Sequence, residues 1–254
     1  MISFIKNEHM KIYYKRSNLV LFLTYLSVLF VIALATRKLL DSAGIGENFL
    51  GYVSFSTGFL MILPFFVIAI AGSIVSNEYN WGTIKFLLIR PAKRSKILLS
   101  KYITVLLFSV YFIVVFFLVS VLLGFLLFGF EGVNQDSRVL SEILMSYLIC
   151  AIEVIMISTL AFSISTIFRN SALATGISIL LLLTGKTFVQ VLAHFDFQWG
   201  RYVLFANTNL GQYVDGRPLF EGSSLGFSIV MLLMYLMLFL GSAWMVFVRR
   251  DVSI

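Results

Sequence analysis

The chain has 254 residues, of which 60% are hydrophobic and 12% charged, and its formal net charge is +7. Soluble globular domains carry about 25% charged residues, so this composition excludes an ordinary soluble domain. The positive charge does not indicate nucleic acid as a partner, because Lys and Arg cluster at the ends of apolar runs, as they do in membrane proteins. The sequence predicts one transmembrane domain over residues 1–254 that contacts membrane lipids.

Six apolar runs are long enough to cross a hydrocarbon core of about 30 Å. Lipid offers the backbone no hydrogen-bond partners, so each run is expected to be helical. The first run favours a retained span over a cleaved signal peptide, and Pro64 predicts a kink in the second. We therefore expect an all-α fold with six transmembrane helices, at about 19–36, 51–76, 98–128, 140–168, 171–193 and 224–248.

The distribution of positive residues predicts the orientation of these helices. Thirteen Lys and Arg fall on the side that carries both termini, five fall on the other side, and Lys186 lies within a helix. Positive residues are retained on the cytoplasmic side of a membrane. Both termini and residues 77–97 are therefore predicted to be cytoplasmic in a bacterial cell membrane.

Residues 1–17 have the pattern of an amphipathic helix that lies in the membrane interface. Its apolar side is expected among acyl chains and its lysines against anionic lipid. The alternative is a short extension that serves only the topology. The apolar set is Ile2, Ile5, His9, Ile12 and Tyr13, and the lysine set is Lys6, Lys11 and Lys15.

Residues 194–223 interleave aromatic and polar side chains between the fifth and sixth runs. The segment is too polar to span the membrane and too aromatic for a plain solvated loop, as is typical of interfacial segments. Gly211, Gly216, Pro218 and Gly222 predict turns within it.

The sequence carries no recognisable catalytic or metal-binding motif. Gly185-Lys186-Thr187 resembles the end of a phosphate-binding loop, but that motif needs a glycine where Leu180 stands, so we expect no ATPase activity in this chain. The two histidines, His9 and His194, are predicted on opposite sides, and one cysteine cannot complete a metal cluster. The sequence predicts neither a cofactor nor an enzyme.

Glu153 and Lys186 are charged residues inside predicted spans, where isolated charges are costly. Each lies roughly 23 Å from the turn between the fourth and fifth runs, at 1.5 Å per residue. An antiparallel hairpin therefore brings them to the same depth. Three interpretations stay open: a structural ion pair, a pair that lines a substrate path or outer gate, and a proton relay.

The most informative motif lies between the second and third runs. Three residues separate Glu78 from Gly82-Thr83, and six residues separate Thr83 from Arg90-Pro91. A short amphipathic helix over 84–89 is predicted, capped by Thr83 and ended by Pro91. The alternative is that these basic residues only enforce topology. The candidate coupling residues are Glu78, Trp81, Gly82, Thr83, Leu88, Arg90, Pro91 and Arg94.

This motif, with a further lysine at Lys101, resembles the signature of type-two ATP-binding-cassette exporter permeases. The resemblance implies that residues 77–97 dock on a separate cytosolic ATPase, which would hold ATP and Mg²⁺. It also implies a second permease chain, identical or related, and a re-entrant segment before the last helix, within 194–223. Among such permeases the chain is most similar to small ones of Gram-positive bacteria that export or resist amphipathic peptides.

Other functions stay open at this point. The chain is alternatively a peptide-antibiotic immunity or resistance permease, or an exporter of a drug, a lipid-linked glycan or an ion. An intramembrane enzyme is a further alternative, but the sequence offers no clustered catalytic groups in its favour.

Overall fold

The computed structural model describes residues 1–43, 49–83, 93–129, 137–214 and 216–249. Within these ranges the regular structure is entirely helical, and six helices are long and apolar enough to span a membrane. The predicted all-α fold with six spans is confirmed. The spans are Arg16–Ser42, Phe49–Asn80, Arg94–Phe128, Arg138–Ile167, Ser171–His194 and Leu225–Arg249.

The α-helices are numbered here in chain order, and two short 3-10 helices accompany them. The α-helices are α1 (Ile2–Tyr14), α2 (Arg16–Ala43), α3 (Phe49–Ser56), α4 (Leu63–Ala71), α5 (Ser76–Asn80), α6 (Arg94–Phe128), α7 (Ser137–Ile167), α8 (Ser171–His194), α9 (Leu204–Asn207), α10 (Gly211–Val214) and α11 (Leu225–Arg249). The 3-10 helices are Thr57–Ile62 and Gln198–Tyr202.

Helix α7 is the centre of the bundle and packs against α4, α6, α8 and α11. Small and hydroxyl-bearing residues allow this close packing, because membrane helices associate through van der Waals contact and hydrogen bonds. The Ser165 hydroxyl accepts a hydrogen bond from the Ser76 backbone N–H at 3.1 Å, and the Tyr102 and Thr159 hydroxyls are 2.9 Å apart. Gly72 approaches α8 so closely that an added Cβ would lie 2.7 Å from a Thr175 methyl carbon.

The second span is interrupted near its middle. The 3-10 stretch Thr57–Ile62 separates α3 from α4, and Pro64 lies in the first turn of α4. Proline has no N–H to donate to the carbonyl of Leu60, four residues earlier. That carbonyl instead accepts from the Leu63 N–H, and the Cys150 sulfur of α7 lies 4.0 Å away. The irregularity therefore occurs where Pro64 predicted it.

The N-terminal helix α1 is confirmed, but part of its predicted orientation is wrong. Ile12 is buried in the protein core rather than directed to acyl chains, and the ammonium of Lys11 is paired with carboxylates of the protein. His9 stacks on Phe108 with ring centroids 4.7 Å apart. The residues that α1 leaves exposed to its surroundings include Ile2 and Tyr13. Helix α1 therefore packs against α6 and α2.

The segment between α8 and α11 folds back onto the bundle. Helix α9 contacts both α8 and α11, and Leu204, Phe205, Ala206 and Asn207 are all buried. The Asn207 amide nitrogen donates to two backbone carbonyls, and its oxygen accepts from the Ser228 hydroxyl of α11 at 2.7 Å. The predicted re-entrant segment is therefore a set of short helical turns with its own polar core.

The long helices give the bundle two ends. Arg94, at the start of α6, donates a hydrogen bond to the Val248 carbonyl near the end of α11. Asn80, at the end of α5, donates to the Ser171 hydroxyl at the start of α8. We call the end formed by these residues and α1 the terminal face, and the end formed by residues 195–214 and 216–224 the opposite face.

Candidate functional site

A cluster of charged residues is buried at the terminal face. The ammonium of Lys101 lies 2.7 Å from a carboxylate oxygen of Glu8 and 3.1 Å from one of Glu78, and it donates to the Ile74 carbonyl at 3.3 Å. The side chains of Lys101, Glu8 and Glu78 are 1%, 8% and 9% exposed. Three segments that are distant in sequence therefore meet at one ammonium group.

Lys11 and Thr83 complete this cluster. The Lys11 ammonium lies 2.8 Å from Glu78 and 3.2 Å from Glu8, and the Thr83 hydroxyl donates to the second carboxylate oxygen of Glu78. Burial lowers the pKa of Lys11, but its hydrogen bonds and the charges of Glu78 and Glu8 outweigh that effect, so the pKa is raised above its ordinary value. With two ammonium groups and two carboxylates, the four charges balance. We call these five residues the buried ion cluster, in which the Lys11 side chain lies at the rim and is 53% exposed.

Helical periodicity brings these side chains together. Glu8 lies one turn before Ile12 on the buried side of α1. Lys101 lies between Ile97 and Val105 on the buried side of α6, at spacings of four residues. A charge buried without a partner costs several kcal/mol, whereas a fully hydrogen-bonded cluster offsets most of that cost. The apolar faces of α1 and α6 therefore determine where Glu8 and Lys101 lie, and the ion pairs offset the cost of burying these charges.

The candidate coupling residues fall partly within the described chain. The Glu78 carboxylate lies in the buried ion cluster, and its side chain is 9% exposed. Trp81 is 64% exposed, with the Lys15 ammonium 4.9 Å from its ring centroid, and burial lowers the pKa of Lys15. Gly82 has a φ of +67°, a conformation that favours glycine.

The remaining candidate coupling residues are Arg94, Leu88, Arg90 and Pro91. Arg94 is held against α11 through its bond to Val248. Leu88, Arg90, Pro91 and the predicted helix over 84–89 lie outside the described residues.

Sequence reasoning missed the roles of Glu8, Lys11 and Lys101. Two signals were present. Glu8 is an acid beside the apolar sector of residues 1–17, three residues before Lys11, and Lys101 lies inside an apolar run without an acid nearby in sequence. Two oppositely charged residues that each lie in an apolar segment are expected to pair with each other, even when they are far apart in sequence.

The structure brings Glu153 and Lys186 together. The Lys186 ammonium lies 2.6 Å from a Glu153 carboxylate oxygen, and the two side chains are 43% and 14% exposed. They lie on the adjacent helices α7 and α8, at the matching depth that their positions indicated. The contact supports a neutralising pair, while the exposure of Lys186 leaves a role in a path open.

The described residues hold no group of three or more His, Cys, Asp or Glu that could bind a metal ion. His9 and His194 lie at opposite ends of the bundle, on α1 and at the end of α8. Cys150 is buried in α7.

Comparison with known proteins shows which family this is. Residues 39–253 match the family described as "Protein of unknown function (DUF2705)". The Bacillus subtilis (strain 168) "Uncharacterized protein YhcI" is 43% identical over 221 residues, which are 82% of this chain and 70% of that protein. The "Uncharacterized membrane protein YdbK" of the same strain is 36% identical over 246 residues, 96% of this chain and 100% of that protein. The chain is a multi-pass membrane protein that belongs to the DUF2705 family.

Proposed function

We propose that this chain is the membrane-spanning subunit of an ATP-driven exporter, powered by a separate ATPase that docks on residues 77–97. The observation that carries the proposal is the buried ion cluster. It ties residues 78–83 to α1 and α6 through Glu8 and Lys101. A docking segment must be fixed to the helices that it moves, and a cluster of buried charged hydrogen bonds provides such a connection.

The geometry suggests how motion would pass from the ATPase into the membrane. Glu78 lies in the last turn of the second span and Lys101 lies about two turns into the third, so a push on the segment between these spans would act on both helices. Glu8 adds α1, which would brace the pair in the interface. Packed cores shift as discrete units rather than deforming continuously. Movement of the docking segment would therefore rock these helices as one body.

The remaining parts of the proposal follow the exporter resemblance. The terminal face is cytoplasmic in a bacterial cell membrane, supported by the thirteen positive residues on that side. A second permease chain, identical or related, completes the transport path. The substrate is an amphipathic or hydrophobic peptide that moves outward, and ATP with Mg²⁺ is bound only by the ATPase.

Purification from the native membrane tests this function. The tagged chain should retain an ATPase subunit, and the preparation should hydrolyse ATP. Trp81→Ala, which alters the exposed surface beside the cluster, should reduce the retained hydrolysis without changing membrane insertion. Phe197→Ala is the matched control, because Phe197 is an exposed aromatic residue at the opposite face. A well-folded preparation without ATP hydrolysis would contradict the proposal.

A further inference from the structure

A second polar site lies at the opposite face, far from the buried ion cluster. A cavity of about 570 Å³ is lined by Gln190 of α8 and by Asn209, Gln212, Arg217 and Leu219 of the re-entrant segment. One cation and three amides thus contribute to its wall, and none of these five residues is acidic. Its chemistry favours an anion.

The hydrogen bonds of the wall separate fixed groups from available ones. Gln212 donates to the Ala206 carbonyl at 2.9 Å and accepts from the Leu219 N–H at 3.0 Å, so its amide holds the wall in place. Asn209 uses its oxygen to accept from the Gly211 N–H.

Within the part of the chain that the structure describes, three donor groups of the wall make no hydrogen bond. They are the Asn209 amide nitrogen, the Gln190 amide and the Arg217 guanidinium. These N–H donors can serve a bound oxyanion.

The position of the cavity relative to the membrane indicates where a bound oxyanion would come from. Gln190 lies about one turn before the end of α8. The chain that follows exposes Phe195, Phe197, Trp199 and Tyr202. Exposed aromatic residues of this kind concentrate at the level of the lipid headgroups. At that depth the abundant oxyanion is the phosphate group of a phospholipid.

We propose that this cavity binds the phosphate group of an anionic phospholipid, with Arg217 as the principal ligand. A guanidinium offers two parallel N–H donors to a phosphate, and such bonds are short and strong. The amides of Gln190 and Asn209 complete the donor set. The site goes beyond the proposed export function, because it ties the re-entrant segment to one class of lipid whether or not the chain transports peptides.

Native mass spectrometry of detergent-purified protein tests the assignment. Dioleoylphosphatidylglycerol, which is anionic, should bind at one site in preference to zwitterionic dioleoylphosphatidylcholine. Arg217→Gln should weaken that binding about tenfold, the effect expected for losing hydrogen bonds to a charged group. Gln190→Leu should weaken it less. Arg138→Gln is the matched control, since Arg138 is exposed at the start of α7 and does not line the cavity.

Three results would overturn the assignment. Arg217→Gln could bind phosphatidylglycerol as well as the wild type, or Arg138→Gln could lose as much affinity as Arg217→Gln. Inorganic phosphate could also displace the lipid in competition, which would assign the cavity to a soluble anion instead. Monodispersity of each variant in gel filtration shows that a loss of binding is not a loss of fold.

Discussion

At the scale of single residues, Lys101 is the most deeply buried charged residue of the described chain. Its ammonium is enclosed by Glu8, Glu78 and the Ile74 carbonyl, with 1% of the side chain exposed. The stabilisation depends on balance rather than on any one bond. Removing one member strands an opposite charge, whereas removing a matched pair leaves Lys11 and Glu78 to neutralise each other.

This balance predicts a recovery in a double variant. Lys101→Met and Glu8→Gln should each destabilise the protein by about 3–5 kcal/mol, and the double variant should regain much of that loss. Thermal unfolding in detergent measures all four proteins of the cycle. Arg37→Gln is the control, because it breaks an exposed ion pair with Asp41 and should change stability little. Additive losses in the double variant would show that the cluster does not act as a unit.

The Glu153–Lys186 pair predicts a second cycle with its own interpretation. Glu153→Gln and Lys186→Met should each reduce the yield of monodisperse protein, and the double variant should recover much of it. The physical reason is that either single change leaves a charge within a membrane span. A double variant as poor as the sum of both losses would contradict the pairing. A double variant that folds but no longer exports would place the pair in the transport path.

At the scale of elements, α8 depends on a glycine at its contact with the re-entrant segment. A Cβ on Gly185 would overlap the ring of Phe205, which is buried. Gly185→Ala should therefore push α9 away from α8 and lower the unfolding temperature. Gly176→Ala is the matched control on the same helix, since nothing lies within 4 Å of its added Cβ. Equal stability of the two variants would contradict the packing described here.

The individual elements also show which parts of the fold can be predicted from the sequence. The six spans follow from apolar length alone, because lipid leaves helices as the available structure. The break in the second span follows from Pro64, which lacks the N–H that a regular helix uses. The burial of Glu8 and Ile12 does not follow, because an amphipathic pattern shows that α1 has an apolar side but not whether protein or lipid covers it. The ion pairs of Lys101 do not follow from the sequence either, because its partners are 93 and 23 residues away along the chain.

At the scale of the whole molecule, the orientation in the membrane is a prediction of charge distribution. Single cysteines in a Cys150→Ala background, probed in intact cells with a membrane-impermeant reagent, test it directly. Lys93→Cys should stay unlabelled and Phe197→Cys should react, since both positions are exposed but lie at different faces. Labelling at position 93 would reverse the assigned orientation.

The central claim is that a separate ATPase docks beside the buried ion cluster. The most direct measurement places a photo-crosslinking amino acid at Trp81, whose side chain is 64% exposed next to the cluster. A second protein carries the same group at Phe197, which is 50% exposed at the opposite face. After irradiation of cells, mass spectrometry identifies what each position captures. The account predicts a cytosolic subunit with a phosphate-binding loop at position 81 and none at position 197. A well-inserted protein that captures no such subunit at position 81, or captures it equally at both positions, would contradict the account.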